Sequence, residues 1–398
     1  MRQDDRMAKR LRSHSKRGTF GFLVVSVWSV AFTGSPVSAS ASSPQLSPWP
    51  SALHDSAHTS TASIEGPRHA TVEWARSLGG NITPGPVVAV DGTIYIATNA
   101  GVLYALDPTT GADLWTFNGG SSYSGEADLS TSPLVLPSGS ILWPGPGDTL
   151  YELSASGHPQ WSHRFSGSVL SPVRAGSRVY IELMTGSLWE LNVQGATPEL
   201  GWDVTVGHVS FGSPVVSPDG NIITTADKSV IAVADHGSSG VVRWRHDATA
   251  TIEVSASVAS NGDVFVTAND GTAYAIEASG TLRWKRHIGQ ESYSSSSVSA
   301  NGLLYFGDNG GVLNIVRTTT GAEVHRDHGY KGIWGAQAID SRGNVYFGTQ
   351  GGEIYGYSGA GRLLFQLKAS GPIDSYPALT GKGVLLIGAE SGTLYAIG

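Results

Sequence analysis

The sequence has no cysteine and few charged residues, which make up only 14% of its 398 positions. The missing thiols exclude disulfide bonds, thiolate metal sites, a cysteine nucleophile, covalently attached c-type haem and a lipidated N-terminal cysteine. The low charge content disfavours long salt-bridged helices, whereas the 52 glycines supply many tight turns. The composition therefore favours a chain of many short strands.

The first 41 residues have the layout of an export signal. Seven basic residues precede an apolar run from Thr19 to Phe32, and the small residues up to Ala39 and Ala41 offer cleavage sites. The apolar run is shorter than the roughly 20 residues that a membrane-spanning helix needs. We therefore predict that residues 1–41 are a cleaved signal peptide and that the mature protein is secreted or periplasmic, without a transmembrane span. An uncleaved anchor helix is the alternative.

Removal of this leader changes the charge of the chain. The leader carries seven basic and two acidic residues, so the remaining protein has a formal net charge of −12. An acidic surface disfavours nucleic acid and anionic lipid headgroups as partners.

Residues 42–69 are rich in Ser, Ala, Pro and Thr without periodicity, which predicts a flexible linker between the leader and the folded domain.

A repeat of about 41 residues fills the rest of the chain. A glycine recurs in the turn before the second strand of seven units, and in four of them it follows Asp or Asn. Such Asx-Gly pairs favour two-residue hairpins. Each unit reads as four short strands; in the first unit these are GPVVAV, GTIYIAT, VLYALD and ADLWTF. A column of aromatic residues marks the fourth strand, and it continues after its last tryptophan as His325 and Phe365. Its tryptophans are Trp74, Trp115, Trp161, Trp202, Trp244 and Trp284.

A period of about 40–45 residues with four strands is typical of a β-propeller blade. One blade cannot bury both faces of its sheet, so neighbouring blades must stack, and we predict that the tryptophans dock between them. Eight units begin near residues 83, 129, 169, 210, 253, 293, 335 and 375. The last unit lacks its fourth strand, and residues 70–80 supply one. We predict an all-β, eight-bladed propeller over residues 70–398, closed by that N-terminal strand.

The run Ala105-x-Asp107-x-x-Thr110-Gly111-x-x-x-Trp115 resembles the tryptophan-docking motif of PQQ-like, quinoprotein-type propeller repeats. The resemblance covers about residues 70–398, with one unit matching fully and the others in part. It implies one of two functions. One branch of the family comprises dehydrogenases that bind pyrroloquinoline quinone (PQQ) and usually Ca²⁺ on the propeller axis. The other comprises non-enzymatic propellers, such as the scaffold lipoprotein of the outer-membrane β-barrel assembly machine.

The sequence departs from the dehydrogenase branch in two respects. It lacks the cysteines that form a vicinal disulfide against the cofactor in many of those enzymes, and its minimal blades leave no room for large insertions around a cofactor. It also lacks the lipidated cysteine of the assembly scaffold. We therefore expect a monomeric, non-enzymatic propeller that binds a protein partner in the cell envelope. The alternatives are an oxidoreductase that uses PQQ and Ca²⁺, and a carbohydrate-binding propeller.

Candidate binding residues precede the innermost strand of each unit, where they face the mouth of the central channel. Five of these positions place three aromatic rings and two carboxyl groups around one opening, which suits a planar ligand, a sugar or a cation. We predict that these five, Phe211, Glu253, Tyr293, Trp334 and Asp374, form one ligand-binding site. The equivalent positions of the other units are Thr83, Ser130 and Val169. We assign no catalytic residue and no metal ligand.

Overall fold

The computed structural model describes residues 47–120 and 131–398, and every regular element in these ranges is a β-strand. The strands form eight antiparallel four-stranded sheets. We call the sheets blades 1 to 8 and their strands A to D from the channel outwards. No helix in the described ranges has the length and apolar character needed to cross a bilayer. The predicted signal peptide and Ser130 lie outside the described residues, whereas the predicted all-β, eight-bladed propeller is confirmed.

The first four blades follow one another along the chain. Blade 1 contains β2 (Val87–Val88), β3 (Ile94–Thr98), β4 (Val102–Leu106) and β5 (Asp113–Asn118). Blade 2 contains β6 (Leu134–Val135), β7 (Ile141–Gly145), β8 (Thr149–Leu153) and β9 (Pro159–Arg164). Blade 3 contains β10 (Val173–Ala175), β11 (Arg178–Leu183), β12 (Ser187–Asn192) and β13 (Glu199–Thr205). Blade 4 contains β14 (Val215–Val216), β15 (Ile222–Ala226), β16 (Ser229–Asp235) and β17 (Gly240–Asp247).

The remaining blades repeat the pattern until the ring closes. Blade 5 contains β18 (Ser257–Val258), β19 (Val264–Thr267), β20 (Thr272–Ile276) and β21 (Leu282–His287). Blade 6 contains β22 (Ser297–Val298), β23 (Leu303–Gly307), β24 (Val312–Arg317) and β25 (Glu323–His328). Blade 7 contains β26 (Ala338–Ile339), β27 (Val345–Gly348), β28 (Glu353–Tyr357) and β29 (Leu363–Lys368). Blade 8 contains β30 (Ala378–Leu379), β31 (Leu385–Gly388), β32 (Thr393–Ile397) and β1 (Val72–Ser77).

Blade 8 is built from both parts of the chain, as the sequence predicts. Strand β1 pairs antiparallel with β32, with Trp74 opposite Ala396 and Arg76 opposite Leu394. The order of the sheet is β1-β32-β31-β30, so the N-terminal strand takes the outer D position. This pairing covers the edge that the last repeat would otherwise leave open.

Burial along each blade explains why its strands differ in composition. In blade 1 all five residues of β3, IYIAT, are buried because neighbouring blades cover both faces of the sheet. The outer strand β5, DLWTFN, alternates exposed with half-buried residues because only one of its faces is covered. The apolar B strands therefore form the inter-blade core, and the D strands form the rim of the disc.

A β-bulge precedes the tryptophan position in the outer strand. In blade 1 Ala105 pairs with Trp115 and Leu106 with Asp113, which leaves Leu114 as an extra residue. A bulge re-aims the side chain beside it, here towards the next blade. Trp115 Nε1 donates to Ala155 O of blade 2 at 2.8 Å. Three other tryptophans make the equivalent bond to a backbone oxygen of the next blade: Trp74 to Pro108 O at 3.1 Å, Trp244 to Ala278 O at 2.9 Å and Trp284 to Thr318 O at 2.7 Å. Trp202 donates instead to a side chain, Asp235 Oδ1, at 2.9 Å. The ring of Trp161 stacks on that of His163.

The turn that receives each tryptophan has its own internal structure. In blade 1 Asp107 Oδ1 accepts hydrogen bonds from the Thr109 and Thr110 amides and from Thr110 Oγ1, at 2.8–2.9 Å. The bonds from Thr110 lower the pKa of Asp107. Gly111 follows with a φ of 67°, and a Cβ atom there would lie 2.5 Å from Trp74 Cε3. The motif therefore needs glycine both for its backbone conformation and for the close approach of the ring.

Replacing Gly111 with alanine is expected to lower the free energy of unfolding by about 2–4 kcal/mol. The left-handed backbone costs about 1 kcal/mol, and overpacking against Trp74 adds about 1–3 kcal/mol. Gly220 is the matched control, since it has a φ of 81° and nothing within 4 Å of the added Cβ. Equal losses for Gly111→Ala and Gly220→Ala in urea unfolding would show that the tryptophan does not require the glycine.

In seven blades the turns between A and B strands differ from the predicted two-residue hairpins, whereas in blade 3 Ala175 pairs with Arg178 across a two-residue loop. In blade 1 the Ala89 amide donates to Thr93 O at 2.9 Å, and the Gly92 amide donates to Ala89 O at 3.0 Å. Gly92 has a φ of 92°, whereas Asp91 is not among the residues with positive φ. The turn is therefore a three-residue loop with glycine in the left-handed position, which explains why Gly is constant here while the preceding residue varies.

The structure corrects the prediction of a flexible linker for residues 47–69. Residues 47–67, which we call the N-terminal segment, pack against the end of the channel that carries the A–B turns. Trp49, Leu53 and His58 are each at most 2% exposed. The Val88 amide of β2 donates to Trp49 O at 2.7 Å, and the Ile339 amide of β26 donates to Ser60 O at 2.8 Å. The folded unit therefore begins before residue 70.

Candidate functional site

The two mouths of the channel differ in what surrounds them. Each inner strand enters its blade from the same end, so the residues before the A strands share one mouth, which we call the D–A rim. The opposite mouth carries the A–B turns and lies under the N-terminal segment, since Thr61 bridges Ile339 and Pro48 lies near Gly381 of blade 8. The candidate binding residues belong to the D–A rim.

A series of serines joins the inner strands just below this rim. The Ser132 amide donates to Ser171 Oγ of the next blade at 2.8 Å, and the pattern continues through Ser213, Ser255 and Ser295 at 2.9–3.2 Å. Each bond satisfies a buried backbone donor and ties one blade to the next. These serines were not among the residues predicted from the sequence. Their recurrence at the blade spacing is the signal that identifies this structural role.

Tyr376 occupies the same column in blade 8 and extends under the rim. Its side chain interacts with Ser295 of blade 6, and a Cβ atom on Gly85 of blade 1 would lie 3.0 Å from Tyr376 Cβ. Burial raises the pKa of this phenol, and Asp374 adds to the shift. The Tyr376 side chain therefore connects blade 8 to blade 6 below the D–A rim.

Three predicted residues come together on blades 5, 6 and 7. The rings of Tyr293 and Trp334 meet edge to face, with centroids 5.8 Å apart and planes at 77°. Burial raises the pKa of Tyr293, and the carboxylates of Glu291 and Glu253 raise it further, so both acids lie close to the phenol. Glu291 also accepts a hydrogen bond from Asn309 Nδ2 at 3.3 Å. Glu291 was not among the predicted residues, although it stands only two positions before Tyr293.

Asp374 forms a second acidic group on blade 8. Burial raises the pKa of Asp374 to about 8, and both a hydrogen bond and charge repulsion from Glu390 act in the same direction. Gln350 Nε2 donates to Asp374 Oδ1. Asp374 is therefore protonated at neutral pH, and the Gln350 amide holds its carboxyl group in place.

Gln350 and Glu390 belong to a column that the sequence analysis did not consider. They lie at the start of the loops between B and C strands, within two residues of the end of the B strand, where a polar residue recurs: Asn99, Asp227, Asn269, Asn309, Gln350 and Glu390. Their backbone amides donate to the segment before each inner strand, as Gln350 does to Gly332 O and Glu390 to Pro372 O. These bonds place the polar side chains beside the rim.

The other predicted residues have separate environments. Phe211 on blade 4 and Trp334 on blade 7 are each 37% exposed, although both are large and apolar. No hydrogen bond or ring contact joins Phe211 to Glu253, Tyr293 or Trp334 within the described residues. Val169 is buried and Thr83 is half-buried. The rim thus has an aromatic and acidic arc on blades 5 to 8, with Phe211 on the adjoining blade.

Comparison with solved structures identifies the same fold in proteins of different function. BamB from Moraxella catarrhalis has a TM-score of 0.66 at 12% identity, over 82% of this chain and 99% of that one. Quinohemoprotein alcohol dehydrogenase from Comamonas testosteroni has a TM-score of 0.70 at 12% identity, over 87% and 80%. Sqt1 from Saccharomyces cerevisiae has a TM-score of 0.69 at 11% identity, over 84% and 99%. Identities this low support the fold alone.

Sequence comparison gives the family. No curated protein sequence matches the chain. The PQQ-repeat family model described as outer membrane protein assembly factor BamB matches residues 63–126, 99–199 and 193–331. These ranges cover more than half of the chain and span the first six blades. The chain therefore belongs to this PQQ-repeat propeller family of the outer membrane protein assembly factor BamB.

Proposed function

We propose that this protein is an exported, non-enzymatic propeller that binds a protein partner of the cell envelope through its D–A rim. The exposed aromatic side chains beside clustered carboxyl groups at this mouth carry the proposal. Large apolar side chains that stay exposed on a folded surface mark interaction sites when they lie together with polar groups. Membership of a family described as an assembly factor agrees with a binding role.

The chemistry of the rim indicates the kind of partner surface. Trp334 and Tyr293 offer aromatic faces and edges, and Glu253, Glu291 and the Asp374–Glu390 pair supply negative charge around them. Such a surface complements the Arg and Lys side chains of a partner through charge attraction and cation–π contact. The acidic net charge of the protein would favour the approach of a basic surface over a longer distance.

The donor set at the rim does not fit PQQ with Ca²⁺, the group that the dehydrogenase branch uses. PQQ is an anion with several carboxylates, whereas this mouth presents Glu253, Glu291, Asp374 and Glu390. A Ca²⁺ site needs about six to eight oxygen ligands around one ion. Within residues 47–120 and 131–398, no group of three or more His, Asp or Glu side chains is arranged to hold a metal.

A carbohydrate ligand is the second candidate. An exposed indole beside carboxyl and amide groups is a surface on which a sugar ring can stack while its hydroxyls are hydrogen-bonded. Trp334, Gln350 and the Asp374–Glu390 pair supply these parts. A saturable change in tryptophan fluorescence with an oligosaccharide, lost in Trp334→Ala, would favour this function over protein binding.

The double variant Phe211→Ala/Trp334→Ala is expected to weaken capture of the envelope partner at least tenfold. Truncation of an aromatic anchor at an interface commonly costs about 2 kcal/mol or more. The measurement compares proteins retained from a solubilised envelope fraction by the wild type and by the variant, quantified across a concentration series. Leu114→Ala is the control, because Leu114 is 54% exposed on the outer strand of blade 1. Equal retention by all three proteins would contradict a binding role for the rim.

A further inference from the structure

The N-terminal segment meets the propeller chiefly through main-chain hydrogen bonds. Inner-strand amides of six blades point into the channel and donate to consecutive parts of this one segment. The donor–acceptor pairs are Val88–Trp49, Val135–Pro50, Val216–Ser56, Val258–Ala57, Val298–Thr59 and Ile339–Ser60, at 2.6–3.0 Å. One short peptide thus contacts blades that are far apart in the sequence.

These channel-facing amides need an acceptor. An inner strand pairs on its outer side only, so its other edge presents free N–H groups to the channel. A buried amide without a partner costs about 1–3 kcal/mol, which makes a ring of such donors a strong site for carbonyl groups. The ring recognises main-chain carbonyls rather than particular side chains. Its natural class of ligand is therefore a peptide.

The N-terminal segment is shaped so that its carbonyls point outwards. Leu53, His54, His58 and Ser60 all have positive φ values, between 53° and 83°, which is rare for residues other than glycine. Asp55 stabilises the turns, because its carboxylate accepts hydrogen bonds from the Ala57 and Thr59 amides at 3.0 Å. The peptide is thus coiled upon itself and does not extend any blade as an added strand.

Side-chain anchors fix the peptide at its ends. Trp49 is 1% exposed and meets the ring of His54 edge to face at 4.8 Å. At the other end the Tyr346 hydroxyl donates to Pro67 O at 3.0 Å. Arg68 and His69 are then exposed before β1 begins at Val72. The covalent connection between peptide and propeller is therefore a short surface stretch.

We propose that the A–B mouth of the channel is a peptide-binding site and that residues 47–67 are its resident ligand, held by non-covalent contacts. The site takes a peptide that turns through left-handed residues, directs its carbonyls radially and carries a tryptophan anchor. This inference does not rest on the proposed function of the D–A rim, because it concerns the opposite mouth.

The test keeps the full chain and cuts it after folding. A protease recognition sequence is inserted at the exposed His69, the folded protein is cleaved, and the products are run on a gel-filtration column. We expect the N-terminal fragment to co-elute with the propeller. A labelled synthetic peptide of residues 47–67 should then exchange into the cleaved protein, and its Trp49→Ala form should bind about 100-fold more weakly. Ser63→Ala is the matched control, since Ser63 is exposed.

Each other outcome would overturn the proposal. Loss of the fragment from a propeller that stays folded would mean that only chain continuity holds the segment in place. Unfolding of the whole protein on cleavage, or a retained fragment that never exchanges with the labelled peptide, would mean that the segment is part of the core and not a ligand. Exchange with equal affinity for the native and Trp49→Ala peptides would contradict the anchor and hence the site.

Discussion

Replacing Trp49 with alanine is expected to lower the free energy of unfolding by about 3–5 kcal/mol, the usual range for a fully buried tryptophan. Trp49 lies in a stretch rich in serine and proline. If this stretch were a flexible linker, the same substitution would change the free energy of unfolding by no more than about 0.5 kcal/mol. In the structure its side chain packs into an apolar cluster that also contains Val88 of blade 1 and Leu379 of blade 8. Equilibrium unfolding in guanidinium chloride distinguishes the two expectations.

Trp334 provides the matched control for Trp49. It is 37% exposed on the D–A rim, so Trp334→Ala should change the unfolding free energy far less. A small effect at Trp49 and an equally small one at Trp334 would contradict the packed N-terminal segment. A large effect at both positions would instead mean that the rim aromatics serve stability, which would weaken the proposed binding role.

Acidification from pH 6.5 to pH 4 is expected to destabilise the wild type by about 3 kcal/mol relative to His58→Asn. Burial lowers the pKa of His58 from 6.5 to about 4, although the nearby Asp55 carboxylate opposes the shift. Between pH 4 and pH 6.5 the His58 side chain binds a proton in the unfolded chain but not in the folded protein. Stability is therefore full above about pH 6.5 and is lost as the pH falls towards 4, at about 1.4 kcal/mol for each pH unit.

The comparison with His58→Asn isolates this effect from other titrating groups. Asparagine tolerates the left-handed conformation of this position, where φ is 53°. Asp374 acts in the opposite direction, because its pKa is raised to about 8 and the folded protein holds its proton more tightly than the unfolded chain. Both proteins share that contribution, so it cancels in the difference. Parallel stability curves for the two proteins between pH 4 and 7 would contradict a buried, neutral His58.

The propeller was predictable because its pattern repeats. Each blade buries its strands in the same way, so Trp115 and its equivalents recur at nearly constant spacing, and the missing fourth strand of blade 8 pointed directly to residues 70–80. The type of A–B turn was not predictable from Asp91-Gly92 alone. One glycine in the left-handed conformation serves both a two-residue and a three-residue loop, and the register of the flanking strands decides between them.

The N-terminal segment escaped prediction for a physical reason. It binds through carbonyl groups, which every residue possesses, so its fit leaves no side-chain periodicity to detect. Its polar composition resembles that of a linker, and the left-handed conformations of His58 and Ser60 carry no sequence signal. Main-chain recognition is thus invisible to reasoning from hydrophobic patterns.

The candidate site was predictable in part. Counting back from each inner strand found Glu253, Tyr293 and Trp334, which the structure brings together, because repeats place equivalent residues at one end of the channel. The same counting could not find Gln350 and Glu390. They lie in another loop of the blade, and only the folding of the sheet brings that loop beside the rim.

Site-specific photocrosslinking tests the central claim, that the D–A rim is the binding surface, most directly. A photoreactive amino acid replaces Trp334 in one protein and Leu114 in another, and both are irradiated in the cell envelope. We predict one discrete adduct with a partner protein from position 334 and none from position 114. The same adduct from both positions, or none from position 334 at matched expression, would contradict the account.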